Sequence, residues 1–146
     1  MRRSILNNQA IVFITSLLVI IINIVFSVHF IAITLAGVIF YLTQLCFKEK
    51  LYYSLLSVIL AFLVIETTQG LKPFSLFLIS FVLYSIILPL ARRLFSFDSI
   101  RIFVEVFIFY IFVLLIYYIS TGELFLNFWF IVINICIDIL ILGILL

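Results

Sequence analysis

Charge is what this sequence has least of: only 10% of its 146 residues are Asp, Glu, Lys or Arg. A water-soluble domain of this size covers its core with far more polar surface, so a soluble globule is excluded. Glycine (4), proline (2) and cysteine (2) are scarce as well. The two cysteines, Cys46 and Cys136, both lie inside apolar runs. They form neither a disulfide framework nor a metal-ligand spacing, and read as reduced thiols packed as small hydrophobes. The chain has no nucleophile elbow, phosphate loop, zinc-protease motif or paired-cysteine motif. It offers no set of acid, base and nucleophile, so an enzyme is not expected, and no cofactor is implied. Nor is there a basic groove for nucleic acid.

What is present is hydrophobicity. Apolar residues make up 68% of the chain, and the mean hydropathy is +1.56. Lipid is the solvent that suits this composition. In lipid every backbone N–H and C=O must be paired internally, so a spanning chain is helical or a closed barrel. Barrel strands alternate apolar and polar residues; here the apolar runs are long and unbroken. The expectation is an all-α integral membrane protein of one domain, with short loops. High Phe with low Gly reads as biased base composition rather than a cofactor box. Tyr52, Tyr53, Tyr117, Tyr118 and Trp129 are candidates for interfacial belts.

The polar breaks set the span count. Residues 10–47 as one helix would be about 57 Å long, nearly twice the hydrocarbon thickness of roughly 30 Å. They are therefore read as two spans, broken near Ser27-Val28-His29. Met1-Arg2-Arg3 before an apolar run suggests a signal peptide, but no small-residue cleavage site follows Val28, and the segment is read as a retained helix. Lys48-Glu49-Lys50 ends the second span. Gly70 suits the left-handed conformation that closes a third helix, and Pro73 suits the opening of a fourth. Pro89 loosens the last turn of that fourth helix. Asp98 is a candidate N-cap for the fifth. Six transmembrane helices result, at about residues 10–26, 30–47, 51–65, 74–90, 99–119 and 124–146.

Basic residues orient this array. With the N-terminus in the cytoplasm, Arg2, Arg3, Lys48, Lys50, Arg92, Arg93 and Arg101 share that side, and Lys72 alone lies opposite. This is the asymmetry of a bacterial inner-membrane protein, and it puts the C-terminus inside too.

Several polar residues fall within the spans. Asn127, Asn134 and Asp138 lie seven and four apart, on one face of the sixth helix and partly toward its cytoplasmic half. That stripe should face the bundle, as a proton or ligand site or as interhelical hydrogen bonding that fixes packing. Glu105 follows Arg101 by four residues. It reads as a solvated i,i+4 ion pair worth about 0.3 kcal/mol, or as a transport carboxylate. His29 reads as a polar turn residue or a pH sensor, and Asn23 as a packing contact. Ala32, Ala36 and Gly37 place small residues where another helix can approach closely.

The order of features resembles a known family. The run Leu63-Val64-Ile65-Glu66-Thr67-Thr68-Gln69-Gly70-Leu71 puts an acidic residue and then Gly70 at the end of a third span. Ala91-Arg92-Arg93-Leu94 puts arginines at the end of a fourth. Met1-Arg2-Arg3 and Lys48-Glu49-Lys50 fit the same layout. In these features the chain is similar to the rod shape-determining protein MreD family, most specifically over residues 63–94. It departs from the family in having Glu66 where Asp is usual and Lys72-Pro73 after the glycine. The resemblance implies a non-enzymatic scaffold in cell-shape maintenance and lateral wall elongation. The implied partners are an MreC-like protein, an MreB-like filament and the SEDS glycosyltransferase–transpeptidase pair. Arg92, Arg93 and Arg101 would then meet a filament-associated partner or anionic headgroups. The competing expectation is a small-molecule-binding subunit, such as the substrate-capture component of an energy-coupling-factor transporter. That would need a polar pocket opening outward.

Overall fold

The computed structural model describes residues 2–28, 34–87, 89–90, 98–122 and 128–145, and among them six α-helices follow one another. They are α1 (Arg2–Val28), α2 (Ala36–Glu49), α3 (Tyr52–Gln69), α4 (Ser75–Val82), α5 (Asp98–Thr121) and α6 (Phe128–Leu145). A π-helical turn, Leu83–Ile87, continues α4. There is no strand among the described residues. Gln9–Ser27, Tyr52–Gln69 and Ile102–Ser120 are each long and apolar enough to cross a membrane.

The radial arrangement of α1 runs opposite to that of a soluble helix. Its buried stripe is Val12, Ser16, Val19 and Asn23, two of the four polar, while Phe13, Ile14, Leu17, Leu18, Ile21 and Val25 point outward. Large apolar groups outside and small polar ones inside suit a helix bathed in hydrocarbon, where polar groups find partners only in the bundle. Ser16 donates to Ser57 of α3 at 3.0 Å, and Ser57 donates onward to the Ser54 carbonyl at 2.7 Å.

The second helix is short and the most enclosed. With 14 residues, α2 is about 21 Å long, yet it packs against each of the other five helices. Residues 36–40, Leu42, Thr43, Gln44 and Cys46 are all buried. Phe40 stacks on Phe109 of α5 with ring centroids 4.6 Å apart, and Phe62 of α3 meets the same ring at 6.5 Å. Phe47 packs on Phe81 and Tyr84, tying the far end of α2 to α4 and its π turn.

Several boundaries differ from the sequence expectation, for local reasons. The apolar span of α1, Gln9–Ser27, matches the expected 10–26, but the helix itself begins at Arg2 and contains Ser27 and Val28, the expected break. Polar turns at Asn7, Asn8 and Gln9 interrupt hydropathy without interrupting the backbone hydrogen bonds that make a helix. The second helix starts at Ala36, not residue 30, because residues 34 and 35 are non-helical. Leu35 is held in the left-handed region (φ 49°), and the Thr34 backbone bonds side chains instead of a helical turn. Helix α3 runs to Gln69 rather than 65, so Glu66 lies in its last turn. Pro73 precedes α4 by two positions; the residue before the helix is Phe74, at φ 66°. The π turn comes where Pro89 has no N–H for the Ser85 carbonyl and its ring crowds that carbonyl. Helix α5 extends to Thr121 and is closed by Gly122 (φ 72°), whose N–H bonds the Tyr118 carbonyl at 2.8 Å. The expected start of the sixth helix, His29, Ala32, Arg92, Arg93 and Asn127 lie outside the described residues.

Candidate functional site

Two fully buried carboxyl groups organise the polar interior. The first is Asp138, on the α6 stripe Ile131, Asn134, Asp138 and Leu142 that faces the bundle. Its Oδ2 accepts the Gly37 backbone N–H at 2.8 Å and the Tyr110 hydroxyl from α5. Among the described residues no partner meets its Oδ1, although that atom is buried. The first turn of a helix has backbone N–H groups without intrahelical acceptors, and Leu35 supplies no side-chain cap to α2. Asp138 therefore caps α2 from across the bundle. Gly37 is what lets it come so close: a Cβ there would sit 2.5 Å from Oδ2 and 2.9 Å from Val106 Cγ1.

One turn earlier on α6, Asn134 Oδ1 accepts the Thr34 N–H at 3.0 Å. The Thr34 carbonyl accepts Asn23 Nδ2 of α1 at 3.3 Å, and Asn23 Oδ1 accepts the Thr68 hydroxyl of α3 at 2.8 Å. Residues 34 and 37 thus meet 134 and 138 in the same order, so α2 and α6 run parallel. The network joins α1, α2, α3, α5 and α6 at the N-terminal end of α2, away from Lys48 and Lys50. Asn134 and Asp138 of the expected α6 stripe thus meet the N-terminal end of α2.

The second carboxyl group is Glu66. Its Oε2 accepts the Phe74 N–H and its Oε1 the Leu76 N–H, both at 2.6 Å, with the Ser75 hydroxyl at 3.4 Å. Its backbone carbonyl meanwhile accepts Leu71 N–H at 2.9 Å, across the turn where Gly70 takes φ 69°. This is a Schellman-type closure of α3. One residue therefore ends α3 and begins α4.

The other candidates divide as follows. Ala36 is buried beside Gly37. Glu105 is buried in α5, 3% exposed, not at a solvated rim as the ion-pair reading with Arg101 required. The Arg101 side chain lies outside the described residues. Cys46 is buried, but Cys136 is exposed rather than packed inside. Tyr52, Tyr53, Tyr118 and Trp129 are exposed, whereas Tyr117 lines a cavity. That cavity measures about 50 Å³ and its polar wall residues are Thr34, Gln69, Tyr110, Tyr117 and Asn134. Sequence reasoning missed Tyr110, Thr34 and Thr68. The available signal was indirect: an aspartate in an apolar helix needs a donor, and Tyr110 is one of few hydroxyls deep in α5.

The chain matches no protein-family model, and neither curated proteins nor solved structures include a similar one.

Proposed function

We infer that this chain is a non-enzymatic, multi-pass scaffold subunit of a bacterial inner membrane, resembling MreD and acting in cell-shape maintenance and lateral wall elongation. One observation carries the reading: several of the deepest polar groups join helices. Glu66 caps α4, Asp138 caps α2, and Asn134 and Asn23 hold Thr34 between them. Glu66 and Gly70, which carry the resemblance, have architectural work at the α3–α4 corner. Outward-facing apolar surface, such as that of α1, and short loops remain for contact with an MreC-like protein, an MreB-like filament and SEDS and transpeptidase partners. The basic residues put the Lys48 end of the bundle in the cytoplasm under this reading.

A second reading, capture of a small molecule, draws support from the cavity at the opposite end, where an outward-opening pocket would lie. Its volume decides the ranking. About 50 Å³ is far below the roughly 300–1,000 Å³ of small-molecule pockets. Depletion in a rod-shaped host tests the first reading. Rounded cells, with the chain co-purifying with an MreC-like protein, are expected. Rods of normal shape, with a vitamin retained through purification, would replace it with the second.

A further inference from the structure

We propose that Asp138, Tyr110 and the adjoining cavity form a water-filled proton-exchange site, reached from the end of the bundle opposite Lys48 and Lys50. It does not depend on the scaffold reading.

Four observations converge. Asp138 is completely buried, and among the described residues its Oδ1 has no partner while Oδ2 has two. A buried polar atom without a partner calls for an explanation, and water or a proton-transfer role are the usual ones. A cavity of about 50 Å³, lined by Tyr110 though not by Asp138 itself, has room for about three waters when one needs some 10–15 Å³. A water also needs two to four polar partners, and the mainly apolar wall carries five polar residues, Thr34, Gln69, Tyr110, Tyr117 and Asn134. Finally, Tyr110 belongs to both parts: it lines the cavity and donates to Asp138 Oδ2. From α5 it is the titratable side chain in contact with the carboxyl; from α2 the contact is the Gly37 backbone.

The transfer balances without a charged tyrosine. A cavity water gives a proton to the Tyr110 oxygen as Tyr110 passes its own to Asp138 Oδ2, leaving a neutral phenol, a carboxylic acid and a hydroxide that the water chain neutralises from the aqueous side. The reverse steps release the proton. The cavity reaches Gln69 and Leu71 where α3 ends, so exchange is with that end.

Infrared spectra of the full-length protein in detergent, at acid pH where the carboxyl is protonated, test this. The difference between wild type and Asp138→Asn isolates the Asp138 carbonyl band, because Glu66 and Glu105 are common to both. Transfer into deuterated buffer should shift the band within minutes. Tyr110→Phe, and separately Leu114→Phe, which narrows the cavity without touching the pair, should each slow the shift at least tenfold. A wild-type band still unshifted after hours would overturn the proposal. So would exchange at the wild-type rate in both variants. The wild-type measurement decides on its own if a variant does not fold.

Discussion

Glu66 and Asp138 do the same work by different routes. Each is a completely buried carboxyl group that accepts backbone N–H groups from the first turn of another helix. Glu66 reaches across one turn to residues 74–76, with both oxygens engaged. Asp138 reaches residue 37, about a hundred positions away, through one oxygen. The first is a corner that a short segment closes on itself; the second exists only once α2, α5 and α6 are all in place. Local closure allows full satisfaction of the acceptor. Long-range closure left an oxygen over, and that remaining capacity is where chemistry beyond packing becomes available.

Substitutions can break this contrast. Glu66→Ala should have the largest effect, because it strands the buried Leu76 N–H and the part-buried Phe74 N–H and opens the α3–α4 corner. A loss of about 3 kcal/mol is expected, read as a lower unfolding midpoint in detergent. Gly37→Ala comes next, at about 2 kcal/mol, since the new Cβ must displace Asp138 or Val106. Asp138→Asn keeps an acceptor for Gly37 and should cost about 1 kcal/mol or less; a loss matching that of Glu66→Ala would erase the distinction between the two caps. The smallest effect is the Ser16–Ser57 pair. A double-mutant cycle to alanine should give a coupling near 0.6 kcal/mol, the usual size of an interhelical hydrogen bond in membrane proteins.

Much of the helix order was legible because polar clusters such as Lys48-Glu49-Lys50 interrupt apolar runs. Gly70 could be read as a helix terminator because few residues accept its backbone conformation. Asn134 and Asp138 could be placed on one inward face because ionisable groups do not face hydrocarbon. The start of α2 was illegible: it is set by Asn23 and Asn134 holding Thr34 out of the helix, a tertiary effect without local signal. The burial of Glu105 was missed for a related reason, since four-residue spacing to Arg101 describes a helix surface and says nothing of what packs over it. Tyr110 was hidden among seven tyrosines, and only the third dimension singles it out.

The parallel pairing of α2 with α6 bears on how the bundle is made. The ribosome produces α2 well before α6. Until α6 has been synthesised, the amide of Gly37 has no Asp138 to meet and the Thr34 N–H has no Asn134. Fastening of the central helix therefore waits on a segment about a hundred residues downstream. An intermediate that stops after α5 holds the middle of the molecule unfastened.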